Sequence, residues 1–418
     1  MKLFSCKGKV QKSPEQNRSY VPLILSDSLH ATVYSEIAAV PSPEWDSLLG
    51  SGDIFLFRKY LSVVEASSLP GLQFRYVILK SGKKVRSILY FQLVNLSDEG
   101  LGGILDLEEY GGMAAGLSAK INNVLFNPGN GKKSFLLVCG NLLVSGNHGI
   151  RAVDSDAFTE AVASVSQLKK HFTFTSDKTS RIVAHMVKDY YTDEDNVAGP
   201  LLRKDYFILN TDPEMIFERQ PEWKGFDDYL SALSSKYRVR ANQSLSKMEN
   251  IEVRTLSNEE IIERQEEIFE LNCRVMKKAP VKLVKPTAAY FLNLKRVFGD
   301  QYRINGFFLN GNLIAFTSAL WNQHHFEAHY IGIDYHFNKE YAIYQNILYI
   351  YIRDFIECGS ARLFFGRTAL EIKSAAGARP HHLACYFRFS NRIVNTLAKP
   401  LVSSTGPGNW VPRDPFRK

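Results

Sequence analysis

Residues 326–380 constrain the fold more than any other stretch, because several local patterns follow one another there without a gap. They read as a strand, a polar loop, a long helix, a second strand, a Gly-Arg-Thr turn and a short helix. Polar and titratable residues crowd the points where these elements meet, and such junctions commonly hold functional groups in mixed α/β domains. This order predicts a mixed α/β domain with a functional site at the junctions.

An earlier part of the chain has the same order of elements. The segments FRYVILKSGKKVRSILYFQ and YRINGFFLNGNLIAFTSAL each predict a hairpin, turning near Gly82 in the first and near Gly311 in the second. Each hairpin precedes a strand, a helix and another strand, so we expect a tandem repeat of one α/β unit. The predicted division is an irregular arm over 1–30, a first domain over 31–205, a second domain over 206–401 that carries the candidate site, and a basic tail over 402–418.

Length and composition limit the function classes. A chain of 418 residues without a long uncharged apolar run, without an apolar leader and with five scattered cysteines predicts a soluble cytoplasmic protein that lacks a membrane span, a disulfide framework and a metal site. The net charge of +8 arises entirely after residue 359, where ten basic residues face two acidic ones. This basic end predicts contact with an anion, although a solvated basic surface would have the same composition.

The strand FEAHYIGID holds the first candidate pair. Strand alternation predicts that Glu327 and His329 lie side by side on one face, where a carboxylate would raise the basicity of the imidazole. Such a pair suits general-base catalysis. The same two residues could instead form a polar pair that holds adjacent strands together.

Two further groups follow in the sequence. The helix that begins near Ile343 offers unpaired N–H groups, with Asn338, Tyr344 and Gln345 nearby, although several of its side chains could simply face the core. Gly366, Arg367 and Lys373 predict a positive site for a carboxylate or phosphate, unless Arg367 pairs with a neighbouring Asp or Glu. The spacing of Thr368 and Glu371, like that of Ser257 and Glu260, predicts a helix capping box.

These residues resemble the GNAT-fold acyltransferases. The segments EAHYIGID, NKEYAIYQNILYIYIRDFIECG and ARLFFGRT, with the hairpin before them, are similar to the large two-domain subgroup that includes Fem-type peptidyltransferases and bacterial BioF-like acetyltransferase domain proteins. The resemblance implies tandem GNAT-like acyl-CoA N-acyltransferase domains in an α/β fold with mixed sheets. It also implies a V-shaped opening between the strand at Tyr330–Asp334 and the strand at Leu363–Phe365, where the acyl donor lies.

The resemblance assigns roles by position. The strand at Tyr330, Ile331 and Gly332 would hold a pantetheine arm, and the helix start after Tyr341 would bind a pyrophosphate. Glu327 or His329 would deprotonate the attacking amine, and Tyr344 would protonate the leaving thiolate. Lys373 would bind an acyl carboxylate or a donor phosphate.

The resemblance leaves the donor open. GNAT enzymes usually bind pyrophosphate with a glycine-containing loop, whereas residues 335–344 contain no glycine. The resemblance implies acetyl-CoA or another acyl-CoA as the donor, whereas the glycine-free loop favours aminoacyl-tRNA, as in Fem proteins, or a non-CoA acyl donor. The expected acceptor is a small-molecule or peptide amine, in cell-wall, polysaccharide or metabolite chemistry. One alternative is a catalytically inactive protein of the same fold that binds a glycan or peptide in the interdomain cleft. Another is nucleic-acid binding through the basic end.

Overall fold

The computed structural model describes residues 20–26, 28–96, 133–169, 172, 180–192, 198–202, 204–278, 284–402 and 410–416. The strands are β1 (Tyr20–Ile24), β2 (His30–Tyr34), β3 (Leu72–Ser81), β4 (Lys84–Asn95), β5 (Ser134–Cys139), β6 (Ile150–Ala152), β7 (Arg181–Tyr191), β8 (Phe207–Asn210), β9 (Glu214–Glu218), β10 (Glu252–Thr255), β11 (Tyr302–Leu309), β12 (Asn312–Trp321), β13 (His325–Ile333), β14 (Arg362–Phe364), β15 (Arg379–His381) and β16 (Leu383–Phe389).

The α-helices lie between and after these strands. They are α1 (Ser42–Asp46), α2 (Arg58–Ala66), α3 (Ser155–Leu168), α4 (Ala198–Leu202), α5 (Phe226–Ala232), α6 (Ser235–Ser246), α7 (Asn258–Glu263), α8 (Gln265–Met276), α9 (Ala288–Phe298), α10 (Tyr335–Tyr341), α11 (Ile343–Cys358), α12 (Leu370–Ala375) and α13 (Arg392–Val402). Short 3-10 turns cover Ile37–Ala39, Ile54–Leu56 and Gly299–Gln301. Residues 1–19 of the predicted arm and residues 403–409 of the predicted tail lie outside the described ranges.

The strands form two sheets in the described part of the chain. Sheet 1 has nine strands in the order β1-β2-β3-β4-β5-β7-β16-β8, with β6 paired to β4. Sheet 2 has seven strands in the order β10-β11-β12-β13-β14-β9-β15. In each sheet one pair is parallel, β5–β7 in sheet 1 and β13–β14 in sheet 2, and the other pairs are antiparallel. The predicted α/β class with two similar units is confirmed.

The two units exchange a strand. β8 and β9 are close in sequence, yet β8 forms an edge of sheet 1 while β9 lies between β14 and β15 of sheet 2. In the same way β15 forms an edge of sheet 2, and the strand that follows it, β16, lies between β7 and β8 of sheet 1. The exchange brings the ends of β7, β9 and β16 next to the junctions that follow β13 and β14.

Local sequence explains the turns and one helix start. The hairpin β11–β12 turns at Asn310 and Gly311, both with positive φ, which is the backbone that a two-residue hairpin turn requires. The hairpin β3–β4 turns at Gly82, with φ of +57°. The predicted capping box of α7 is confirmed, because Ser257 Oγ accepts from the Glu260 N–H and Glu260 Oε2 accepts from the Ser257 N–H.

One hydrophobic core is shared by both units, in addition to separate cores on each sheet. It joins side chains from the first unit, Trp45, Tyr60 and Tyr76, to side chains from the second, Phe291, Tyr302 and Phe316. Within it the hydroxyls of Tyr60 and Tyr290 lie 2.8 Å apart. Among the helices of the described ranges, none is long and apolar enough to cross a membrane.

Candidate functional site

Strand β13 is the centre of the site, and its pairing changes along its length. On one side β13 pairs with β12 over its whole length from Phe326 to Ile333. On the other side it pairs with β14 only at His325, Phe326 and Glu327, because β14 ends at Phe364. The two strands therefore separate beyond Glu327, which is the opening that the resemblance implies.

A β-bulge interrupts β13 at the same place. Ala319 of β12 lies opposite Ala328 and Ser318 lies opposite Tyr330, so His329 is the extra residue. Strict alternation predicts one face for Glu327 and His329, and the bulge breaks that alternation.

The predicted pairing of Glu327 with His329 is wrong, since each residue has a different partner. The Nε2 atom of His325 lies 2.9 Å from Glu327 Oε2, while the Nε2 atom of His329 lies 3.0 Å from the Tyr290 hydroxyl. Burial lowers the pKa of His325 to about 4 and that of His329 to about 3, so both imidazoles are neutral near pH 7. A neutral His325 donates one hydrogen bond to the carboxylate and fixes its orientation.

A cavity of about 440 Å³ occupies the opening between β13 and β14. Its wall combines residues of both units: Glu327, His329 and Tyr330 from β13, Gly366 and Arg367 from the loop after β14, and Leu143, Lys188 and Cys385 from sheet 1 or its loops. The cavity thus brings five of the predicted site residues together.

A larger cleft of about 1000 Å³ lies on the other side of the Glu327–His325 pair. Its lining includes His325, Glu214, Tyr191 and Phe364, and the ring of His325 stacks on Phe364 with centroids 4.0 Å apart. Ser145 lines both the cavity and the cleft. The Glu327–His325 pair is consequently accessible from two directions, through the carboxylate on the cavity side and the imidazole on the cleft side.

Glu327 is surrounded by groups that act on its charge. Its side chain is 5% exposed, and burial raises its pKa well above the usual range for a carboxyl, although Lys373 and Lys188 act in the opposite direction. A carboxylate in such a place is a stronger base than an exposed one. Glu327 can therefore take a proton from a group bound in the cavity.

Lys373 binds the loop after β14 through hydrogen bonds. Its Nζ donates to the carbonyl oxygens of Phe365, Gly366 and Arg367 at 2.8, 3.2 and 2.6 Å. Burial lowers the pKa of Lys373 to about 7, with Glu214 as the strongest opposing charge. Three acceptors match the three N–H groups of an ammonium, so the geometry favours the charged form. All three donors are used within the protein.

Arg367 forms a buried ion pair with Asp189 at the end of β7. Burial opposes ionisation of Asp189, but Arg367 and Lys188 outweigh it and lower the pKa of Asp189 to about 2. The Sγ of Cys385 lies 3.0 Å from the other carboxylate oxygen. Of the two readings of Arg367, the structure shows pairing with a neighbouring carboxylate, and this pair joins sheet 1 to the loop after β14.

The predicted capping box of Thr368 and Glu371 is wrong. Thr368 and Ala369 both have positive φ, so Ala369 precedes α12 without a side-chain cap. Glu371 instead lies 3.3 Å from the guanidinium of Arg413. The short path from Gly366 to Leu370 imposes the left-handed backbone, which a box with an extended N-cap cannot adopt.

The predicted phosphate site at the start of α11 is occupied by the protein itself. The Tyr344 N–H donates to Asn338 Oδ1 at 2.9 Å, and Gln345 bonds to the Tyr349 hydroxyl at 3.1 Å. Burial raises the pKa of Tyr344 to about 12. Asn338, Tyr344 and Gln345 do not belong to the described lining of the cavity.

The edge of β13 beyond the cavity is covered by α8. The carbonyl of Ile331 accepts a hydrogen bond of 2.9 Å from Asn272, and the carbonyl of Tyr330 accepts one of 3.0 Å from the Tyr351 hydroxyl. A Cβ at Gly332 would lie 2.6 Å from Leu271, so this glycine allows close packing of the helix. These contacts take up backbone groups that a pantetheine arm would need.

Sequence reasoning missed several residues of the site: Lys188, Asp189, Glu214 and His325. Three of them come from β7 and β9, which are distant in sequence from β13 and β14. His325 did carry a signal, because alternation places it two residues before Glu327 on the same face. Within the described ranges, no cluster of three or more His, Cys, Asp or Glu side chains is placed to hold a metal ion.

Comparison with solved structures shows the fold. The chain is similar to FemX with a TM-score of 0.50 and 11% identity over 86% of this chain and 98% of FemX. It is also similar to a tandem GNAT protein from the clavulanic acid biosynthesis pathway, with a TM-score of 0.44 and 9% identity over 79% of this chain and 88% of that one. It is similar as well to a conserved protein of unknown function from Bacteroides thetaiotaomicron, with a TM-score of 0.43 and 11% identity over 83% of this chain and 97% of that one.

No family model matches the chain, and no curated protein matches its sequence. The fold is therefore shown by the architecture, two mixed sheets with one parallel pair in each, and by a likeness to FemX that covers most of both chains. In its fold this chain resembles FemX.

Proposed function

We propose that this protein is an N-acyltransferase, which moves an acyl or aminoacyl group from an activated ester or thioester to an amine. The observation that carries the proposal is the position of Glu327, a buried carboxyl that lines the cavity where β13 and β14 separate. Acyl transfer to an amine needs a base at the point where donor and acceptor meet. The opening supplies room for a donor, and the cleft on the other side supplies room for an acceptor.

The chemical step uses Glu327 twice. The amine nitrogen attacks the acyl carbon, and the bond between that carbon and the oxygen or sulfur of the donor breaks. Glu327 takes one proton from the nitrogen and returns it to the leaving atom, so no other acid is required. His325 donates to the carboxylate throughout and keeps it directed at the cavity.

The contacts around the opening favour an aminoacyl ester over acyl-CoA as the donor. The carbonyls of Tyr330 and Ile331 and the N–H of Tyr344 at the start of α11 already have partners within the protein. These residues do not fit the pantetheine and pyrophosphate of CoA.

A basic groove supports an anionic donor such as aminoacylated RNA. The groove of about 800 Å³ lies between α6, α11 and α12. Lys236, Arg240 and Lys247 line it on one side of α6, and within the described ranges none of the three has an ion-pair partner. Unpaired cations on one helix suit contact with a phosphate backbone.

The test is a transfer assay with two donors. The protein is incubated with radiolabelled acetyl-CoA or with aminoacylated tRNA, each in the presence of a panel of primary amines. We expect amide product from the aminoacyl ester, and its loss in Glu327→Gln. The proposal is overturned when neither donor binds in calorimetry and neither gives product.

A second candidate is a protein of this fold that binds a glycan or peptide without catalysis. The specific observation in its favour is the cleft, whose wall carries the aromatic side chains of Phe158, Tyr190 and Phe364. Equal binding of such a ligand by the wild-type protein and Glu327→Gln, with turnover in neither, would support this candidate.

A further inference from the structure

Glu214 lies at the joint between the two units. It is the first residue of β9, and three residues separate it from the end of β8. Its register partner is His381 of β15. The residue is 1% exposed and belongs to the wall of the large cleft. A carboxyl that is buried in this way needs partners for both oxygen atoms.

One oxygen of Glu214 has a partner and the other does not. Oε2 accepts from the Tyr191 hydroxyl, whereas Oε1 has no hydrogen-bond partner among the described residues. Glu214 is the largest opposing charge that acts on Lys373, but the three N–H groups of Lys373 go to backbone carbonyls and not to Glu214. An unpaired buried carboxyl oxygen is unfavourable, and a ligand that donates a hydrogen bond to it removes that cost.

The surroundings of Glu214 define the shape of such a ligand. Ile216 and Phe364 are apolar and line the cleft together with Glu214, so an aliphatic chain suits this part of the wall. The cleft also reaches His325, the partner of Glu327. A donor group at Glu214 would therefore stand close to the base proposed above.

We propose that Glu214 binds the acceptor substrate, with Oε1 accepting an N–H of a primary amine at the end of an aliphatic arm. The inference rests on the proposed acyl transfer and specifies its acceptor. Glu214 acts as a positioning and specificity residue. It selects amines over alcohols of the same shape, because an ammonium has three N–H donors and a positive charge, whereas a hydroxyl has one O–H donor and no charge. The bound ammonium gives its extra proton to Glu214, and the resulting neutral amine attacks the acyl carbon as described above.

The experiment measures binding of two matched probes, pentylamine and 1-pentanol, by ligand-observed NMR at pH 8. The wild-type protein should bind pentylamine about tenfold or more tighter than the alcohol, since a hydrogen bond to a charged group contributes this much. In Glu214→Gln that preference should disappear. The matched control is Glu218→Gln on the same strand, where Glu218 pairs with Arg362 and its side chain is 60% exposed, and it should retain the preference.

Equal binding of the two probes by the wild-type protein would overturn the inference, and so would an unchanged preference in Glu214→Gln. If circular dichroism shows that Glu214→Gln does not fold, the relative binding of the two probes by the wild-type protein still tests the inference. Carbodiimide coupling of pentylamine, in which the reagent takes up the water released by amide formation, should place the amide on Glu214 in peptide mass maps. An amide on Asp53 or Asp154 alone would contradict the assignment.

Failure of this inference is distinguishable from failure of the proposed function. Both probes are read without a donor, so the preference for the amine can be absent while aminoacylated tRNA still binds and reacts. Conversely, absence of any donor binding removes the proposed function and leaves the amine measurement intact.

Discussion

The two sheets each contain one parallel strand pair, and the pairs differ in how far they stay joined. In sheet 1, β5 pairs with β7 along all six of its residues, and every residue of β5 is buried. In sheet 2, β13 has nine residues and pairs with β14 at three of them. The same order of elements has thus produced a closed pair in one unit and an open pair in the other.

The side chains explain the difference. β5 reads SFLLVC, a continuous apolar run that favours full burial between helices. β13 carries Glu327 and a bulge at His329, and the carbonyls after β14 bind Lys373 instead of continuing a ladder with β13. Polar groups and a buried lysine keep the second strand pair apart. The two units therefore have the same order of elements, and a few different side chains in the second unit form the site.

The largest expected effect comes from the carboxyl at the opening. Glu327→Gln keeps the shape of the side chain but removes the base, so acyl transfer should fall about 10²- to 10⁴-fold. The measurement is kcat in the two-donor assay, with Glu218→Gln as the control. Full activity in Glu327→Gln would show that the reaction does not take place at the open pair.

The ion pair between the two regions should have the next largest effect. Arg367→Met leaves Asp189 buried with Lys188 as its remaining ion-pair partner among the described residues, and the free energy of unfolding should fall by about 3–5 kcal/mol. The control is Arg86→Met, whose partners Asp154 and Glu160 have side chains 49% and 46% exposed, and its cost should be much smaller than that of Arg367→Met because solvent screens an exposed pair. Urea unfolding measures both, and equal costs would show that the buried pair does not join the sheets.

The pH dependence of stability isolates Glu214. Burial raises its pKa to about 7, with Glu327 adding to the effect, so the folded protein favours the neutral acid. The stability that the neutral Glu214 contributes to the folded protein is fully present below the usual carboxyl pKa. It is lost as pH rises through 7, and the free energy of unfolding then falls by about 3 kcal/mol at most. Between pH 5 and pH 8 the wild-type protein should therefore lose stability relative to Glu214→Gln. Parallel profiles in urea unfolding would contradict the assignment.

The smallest effect concerns the packing behind the open strand. A Cβ at Gly332 would collide with the Phe316 ring and lie 2.6 Å from Leu271, so Gly332→Ala should cost about 1–3 kcal/mol. Gly52→Ala is the control, because nothing lies within 4 Å of its Cβ position. Thermal unfolding separates the two, and equal midpoints would show that β13 can move away from α8.

Local features could be predicted from the sequence, and long-range ones could not. The hairpins and the capping box at Ser257 depend on neighbouring residues, and the repeated order of elements indicated two units. The exchange of β9 and β16 cannot be read locally, because a strand carries no mark of its distant partner. Asp189 and Glu214 were missed for this reason.

The errors have the same origin. His329 follows the alternation of its strand, but the bulge depends on the register with β12. Thr368 and Glu371 have the spacing of a cap, but the left-handed backbone at Thr368 and Ala369 follows from how the loop returns to α12. Both are properties of the folded chain around a site.

Hydrogen–deuterium exchange with and without donor tests the central claim, that the open pair of sheet 2 is the donor site. Aminoacylated tRNA should slow exchange in peptides covering 328–333 and 365–367 and leave peptides covering 134–139 and 181–187 unchanged. Protection of the closed pair in sheet 1, or no protection at the open pair with either aminoacylated tRNA or acetyl-CoA, would contradict the claim.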